Sequence, residues 1–240
     1  MRDLRNVVAR RPPMSELARR CGAALTPLTF SVLLLGLLAA PRGADAQRAA
    51  YASSNTEAAR ALAEQALDCL HRGEELLTKE SRLAAYREGL QLAERAVAAD
   101  DGNASAHFAL FANNGRIMLI QGETPNPFNV LAVNRELERA LDLEPDYADA
   151  LAARGGLYRQ LPRLLGGSLD KAEADLTRAI ALDPDAVGAR IELAQTYRDM
   201  GQPVRGVPLL NKAMQVAENK GKYRQLNEAR SLLREIRIEP

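Results

Sequence analysis

Between Pro145 and Ala213 the chain writes one helical hairpin twice. Ala172, Leu176, Ala179 and Ile180 are followed by Pro184, and Gly206, Leu210, Ala213 and Met214 repeat the same order of small and large residues. Ala179 and Ala213 stand 34 residues apart. A period of this length means that each unit cannot bury its apolar face alone and must stack on a copy of itself. Residues four and seven apart share a helix face, so Ala172 and Ala179 let a neighbouring backbone come close while Leu176 fills the space between them. Pro184, and Pro145 in the Leu-Glu-Pro-Asp before it, are expected where a new helix opens, because a first-turn residue has no intrahelical use for its amide.

This spacing is that of the second helix of a tetratricopeptide repeat (TPR), whose period is also 34 residues. Composition agrees: aromatics are 4% and tryptophan is absent in a chain that is 47% hydrophobic, so helices must pack through small side chains rather than large ones. An all-α, TPR-like α-solenoid is expected, with hairpins at about 57–99, 104–143, 146–182 and 186–218 and a C-terminal capping helix at 222–238. Tyr223, Leu226, Ala229, Leu233 and Ile236 should face inward on that cap. Ala96 to Ala140 spans 44 residues and Ala140 to Ala179 spans 39, so the second and third hairpins carry inserted residues between their two helices. Insertions at the same place in successive repeats project from the same edge of a solenoid.

Residues 1–46 read as a targeting segment. Arginines 2, 5, 10, 11, 19 and 20 precede an apolar run from Ala23 to Ala40, and Ala44 and Ala46 occupy the small-residue positions of a signal-peptidase site, with cleavage after Ala46. The expected destination is the periplasm or the exterior; the alternative is an uncleaved anchor, since 23–40 is near the shortest run that crosses a bilayer. Residues 47–56, polar and small, are expected as a flexible lead-in. The part after residue 46 holds 25 Lys+Arg against 28 Asp+Glu, a net charge of −3, which does not favour nucleic acid. Only Cys69 remains there, so packing must supply the stability.

No chemistry of catalysis is written in the chain. Cys69 and His71 are two residues apart on a helix and point away from one another, and a core cysteine is the better reading. His107 stands alone, and neither a metal-ligand spacing nor a phosphate loop occurs around the glycines at 155, 156, 166 and 167. No metal or cofactor is expected, and no enzyme. The polar positions that stand out are arginines. Counting from Pro145 and Pro184 puts Arg159 and Arg198 at equivalent places near the ends of inner helices, with Arg116 one step from that place. Together they form a stripe along the groove, set against a second reading as solvated helix-end arginines. Phe108 is the apolar groove candidate, and Arg178, on an outer helix, is the natural comparator. A chaperone-type carboxylate clamp is not expected, since Ala152 and Gly156 stand at the inner-face positions where it would need lysine and asparagine.

Ala-His-Phe-Ala-Leu-Phe at 106–111, the Gly155-Gly156 pair, Leu161-Pro162 and Gly166-Gly167 leading into an alanine-rich helix resemble the T-component proteins of tripartite ATP-independent periplasmic (TRAP) transporters. The resemblance covers roughly Ala104 to Glu218. It implies a periplasmic helical protein that binds a ligand in a pore or cleft and pairs with a transporter's substrate-binding subunit. The residues before Cys21, Ala-Arg-Arg, are not a lipobox, in contrast to the lipoproteins common in that family. The expected function is therefore binding of a small ligand or partner through the concave face, as an accessory of solute uptake, with a general scaffold for an envelope complex as the alternative.

Overall fold

The structure is a computed structural model that describes the backbone of residues 41–122 and 127–238, with side chains described over 56–122 and 134–236. Nine helices follow one another among the described residues: α1 (Pro41–Glu75), α2 (Lys79–Ala99), α3 (Ala104–Gln121), α4 (Pro127–Leu143), α5 (Ala148–Gln160), α6 (Leu169–Leu182), α7 (Val187–Asp199), α8 (Gly206–Asn219) and α9 (Tyr223–Ile238). One-turn 3-10 helices occupy Arg163–Leu165 and Pro203–Arg205, and no strand occurs among the described residues. Residues 51–240 form one compact unit, to which everything below refers.

The helices pair as α1/α2, α3/α4, α5/α6 and α7/α8, and α9 closes the stack against α7 and α8. In the first hairpin, three layers show how small residues permit the approach. Ala63, Ala96 and Ala106 form one, Ala66, Ala93 and Ala109 the next, and Leu70, Tyr86 and Ile117 the last, each layer taking one residue from α1, α2 and α3. Downstream, Leu137, Ala140, Leu151, Leu176, Ala179 and Leu193 build one core from α4 to α7, and Ile191, Ala194, Leu210, Ala213, Leu226 and Ala229 another from α7 to α9.

Helix starts are set by side chains that accept otherwise unpaired amides. The N-cap side chain of Thr78 accepts from Ser81 N, that of Asn103 from Ala106 N, and that of Ser168 from Lys171 N. Pro145 and Pro184 differ from expectation: they stand in the turns before α5 and α7, three residues ahead of each helix, instead of in the first helical turn. The side chain of Arg190 then ties the second turn down by donating to the carbonyls of Pro184 and Ala186 at 2.6 and 3.0 Å.

Two further differences concern direction or extent. Helix α1 begins at Pro41, so the stretch 47–56 read as a flexible lead-in, and Ala46 with it, is helical; after Gly43 nothing in that stretch breaks a helix. Residues 1–40, and so the apolar run 23–40, lie outside the described residues. Tyr223, placed on the inward face of the cap by periodicity, is exposed because it sits at a helix boundary where the 3.6-residue period no longer fixes direction. Among the described residues no helix is long and apolar enough to cross a membrane.

Candidate functional site

Stacking puts the odd-numbered helices on one side of the unit, and their polar side chains converge there. Glu228 of α9 feels the charges of Glu192 on α7, Arg224 on α9, Arg116 on α3 and Glu74 on α1. Asp149, at the start of α5, feels His71 and Glu74 of α1, Asp183 before α7 and Lys222 before α9. Side chains far apart in sequence therefore share one concave face. Its first and last helices touch: Arg224 Nη1 donates to the carbonyl oxygen of Glu74, 150 residues away, at 3.3 Å.

The three arginines singled out by repeat counting stand on this side, and each spans two neighbouring inner helices. Arg116 Nη2 reaches Glu74 Oε1 at 2.5 Å. Arg159 donates through Nε to Glu192 Oε2 at 2.9 Å and through Nη1 to Asp199 Oδ2 at 3.2 Å. Arg198 Nη1 lies 3.1 Å from Glu235 Oε2. Their side chains differ in reach: Arg116 is 44% exposed and Arg198 32%, whereas Arg159 is only 15% exposed and held by two carboxylates. Arg116 is thus the most open of the three. The comparator Arg178 pairs with Asp146 on the outer side.

Phe108 sits behind this face. It is buried in the core, with its ring centroid 6.2 Å from that of Phe111 and 5.1 Å from that of Tyr147, the latter edge-on. It packs α3 against the α4–α5 turn and has little surface to offer a ligand. His107 is also buried, its ring bridging Glu136 Oε2 at 2.7 Å and the Asp101 carbonyl at 3.0 Å. Burial pushes the Cys69 thiol up, away from the thiolate a nucleophile needs. Among the described residues no group of three His, Cys, Asp or Glu side chains could hold a metal.

Repeat counting did not find the acids of this face. Glu74, Asp149, Glu192 and Glu228 stand 75, 43 and 36 residues apart, so the 34-residue period does not mark them. Asp149 and Glu228 are open to water yet sit inside a concavity, where surrounding protein removes much of their solvation. Desolvation raises both carboxyl pKa values, and Glu192 adds to the rise at Glu228. A raised carboxyl pKa means that the folded state holds the proton more tightly than the unfolded chain. Its contribution to stability is complete below the ordinary glutamate pKa and is lost as pH rises through the folded value. Glu228→Gln should therefore melt above the wild type at pH 7, and this advantage should vanish by about pH 4, near the ordinary glutamate value. Melting curves across that range check it; an equal gain at both ends would trace the effect to packing instead of ionisation.

A family model described as "TRAP transporter T-component" matches residues 37–234. Among solved structures, a thermophilic TPR protein of Thermus thermophilus is similar at 22% identity and a TM-score of 0.48, over 70% of this chain and 99% of that one. PilF of Pseudomonas aeruginosa is similar at 18% identity and a TM-score of 0.48, over 76% and 78%. MamA is similar at 22% identity and a TM-score of 0.41, over 60% and 77%. No curated protein sequence matches the chain.

Proposed function

The chain belongs to the TRAP transporter T-component family, and from that premise we propose that it is an exported accessory of solute uptake that holds a small carboxylate ligand, or an acidic segment of a partner, on its concave face. The partner is the transporter's substrate-binding subunit. Convergence of α1, α3, α5, α7 and α9 on one polar face supports this reading, because it supplies several fixed guanidinium donors within one concavity. An incoming carboxylate exchanges with the internal acids already there. It takes the place of Glu74 on Arg116 first, and of Glu235 on Arg198 next, since these pairs are the more open ones. Arg159 acts behind them, keeping α5 and α7 in register through Glu192 and Asp199.

Calorimetric titration of the mature protein with a panel of small mono- and dicarboxylates tests the ligand. Charge-assisted bonds at partly exposed sites are worth about 0.5–3 kcal/mol, so Arg116→Ala should weaken the binding acid roughly tenfold while Arg178→Ala leaves it unchanged. No binding by the wild type, or equal loss in both variants, would overturn the site. Export is tested by terminal sequencing of the protein from its source cell, which should begin at Gln47; recovery of intact 23–40 in the membrane fraction would establish an anchor instead.

A further inference from the structure

On the concave face the arginines have partners and two of the acids have none. Arg116 and Arg198 are bonded to Glu74 and Glu235, Arg159 to Glu192 and Asp199, and Arg224 to the Glu74 carbonyl. Asp149 and Glu228 neither accept a hydrogen bond nor join an ion pair among the described residues. Both carboxylates stand where surrounding protein has replaced part of their water, Asp149 at the start of α5 and Glu228 in the second turn of α9. His71 and Lys222 lie within the field of Asp149 without bonding it. The unmet demand of this face is therefore for positive charge.

Glu74 joins the two unpaired acids into one group. Its charge is felt at both Asp149 and Glu228, and Glu228 also feels Arg116, which stands on α3 while Glu228 stands on α9. Arg116 and the carboxylates of Glu74 and Glu228 thus share one electrostatic neighbourhood, held by the first, third and last helices. A carboxylate that takes Arg116 from Glu74 releases the Glu74 carboxylate there and brings a further negative charge to the same place. Arg116 and Arg224 would then face three anions: the ligand, Glu74 and Glu228. Like charges gathered in a partly desolvated concavity oppose one another more strongly than in open water. A ligand that carries its own cation removes this cost, because it adds no net charge and its positive end takes up the carboxylate that its negative end has released.

We infer that the ligand of the concave face is zwitterionic, a small amino acid whose carboxylate lies on Arg116 and whose ammonium lies between Glu74 and Glu228. The inference rests on the function proposed above and narrows its solute from carboxylates to amino acids. The guanidinium fork of Arg116 suits a carboxylate, and the three donors of an ammonium suit two carboxylates that approach from different helices. Glu192 takes no part, being held by Arg159. Asp149 acts at longer range, as a fixed negative charge that penalises any ligand of net negative charge.

Calorimetric titration of the mature protein with glycine, β-alanine, γ-aminobutyrate and ε-aminocaproate, each beside the alkanoate and the alkylamine of matching length, tests the class. At the best length the zwitterion should bind about tenfold more tightly than either matched probe, the scale of one charge-assisted contact. This comparison uses the wild type alone and so does not depend on any variant folding. Glu228→Gln should then weaken the zwitterion about tenfold while the alkanoate binds as well as before or better, since an anion that repels it is gone. Arg116→Ala should weaken both, and Arg178→Ala neither. An alkanoate that matches the zwitterion, with Glu228→Gln without effect on either, overturns the zwitterionic class and leaves the carboxylate site standing. An alkylamine that matches the zwitterion and still binds Arg116→Ala overturns both, because the face then holds a cation alone. Binding of none of the three probes overturns the carboxylate site, and this class with it.

Discussion

Leu176→Ala should cost about 3–5 kcal/mol in urea unfolding, because Leu176 is fully buried where α6 meets α5 and few neighbours can collapse into the gap. The same contact makes a second measurement informative. A Cβ added at Gly155 of α5 would lie 2.6 Å from Leu176 Cγ and 3.1 Å from Cδ2. Gly155→Ala alone is therefore destabilising by about 1–3 kcal/mol, even though alanine is the better helix former. With Leu176 already shortened, the obstacle is gone. The double variant should be more stable than the sum of the singles predicts, by about 1 kcal/mol or more. Strict additivity would mean that Gly155 answers to the Ala172 carbonyl, 3.3 Å from the same Cβ position, and not to the leucine.

Gly167→Ala should open the turn that carries Leu164 and Leu165. A Cβ there would fall 1.7 Å from the Leu161 carbonyl oxygen and 2.6 Å from its carbon, both backbone atoms that cannot rotate aside. The clash can be relieved only by displacing the turn, which releases the hydrogen bonds of Gly167 and Ser168 to Pro162 and Tyr158. A loss of about 2–3 kcal/mol is expected, together with faster amide exchange over 161–168. Exchange unchanged over that segment would show that the backbone absorbs the methyl group elsewhere.

Much of the fold was legible because its signals are local. Ala172, Leu176 and Ala179 mark one face of one helix, Gly155 and Gly206 mark the close approaches, and both insertions fall between the helices of a hairpin. Gly155-Gly156 and Gly166-Gly167 also carried the family resemblance, which the match over residues 37–234 establishes. Local signals failed where a helix ends, as at Tyr223, and where a large side chain can turn to either side, as at Phe108. Repeat counting placed Arg116, Arg159 and Arg198 on inner helices but could not show their partners, so it presented free donors where each arginine is already paired with a carboxylate.

Residue order by itself determined that this chain is a stack of helical hairpins, where the small contacts lie, and at which edge the insertions emerge. Each of these follows from periods of 3.6 and about 34 residues that no distant contact can alter. The character of the concave face belongs to the tertiary structure alone. Glu74 meets both Arg116, 42 residues on, and Arg224, 150 residues on, because curvature accumulates over the successive hairpins until the last helix reaches the first. That curvature is the sum of many packing angles, each set by the side chains between two helices. No single stretch of sequence contains the sum, so the pairing of these charges, and the raised pKa values of Asp149 and Glu228 that come with it, were decided only when the helices stacked.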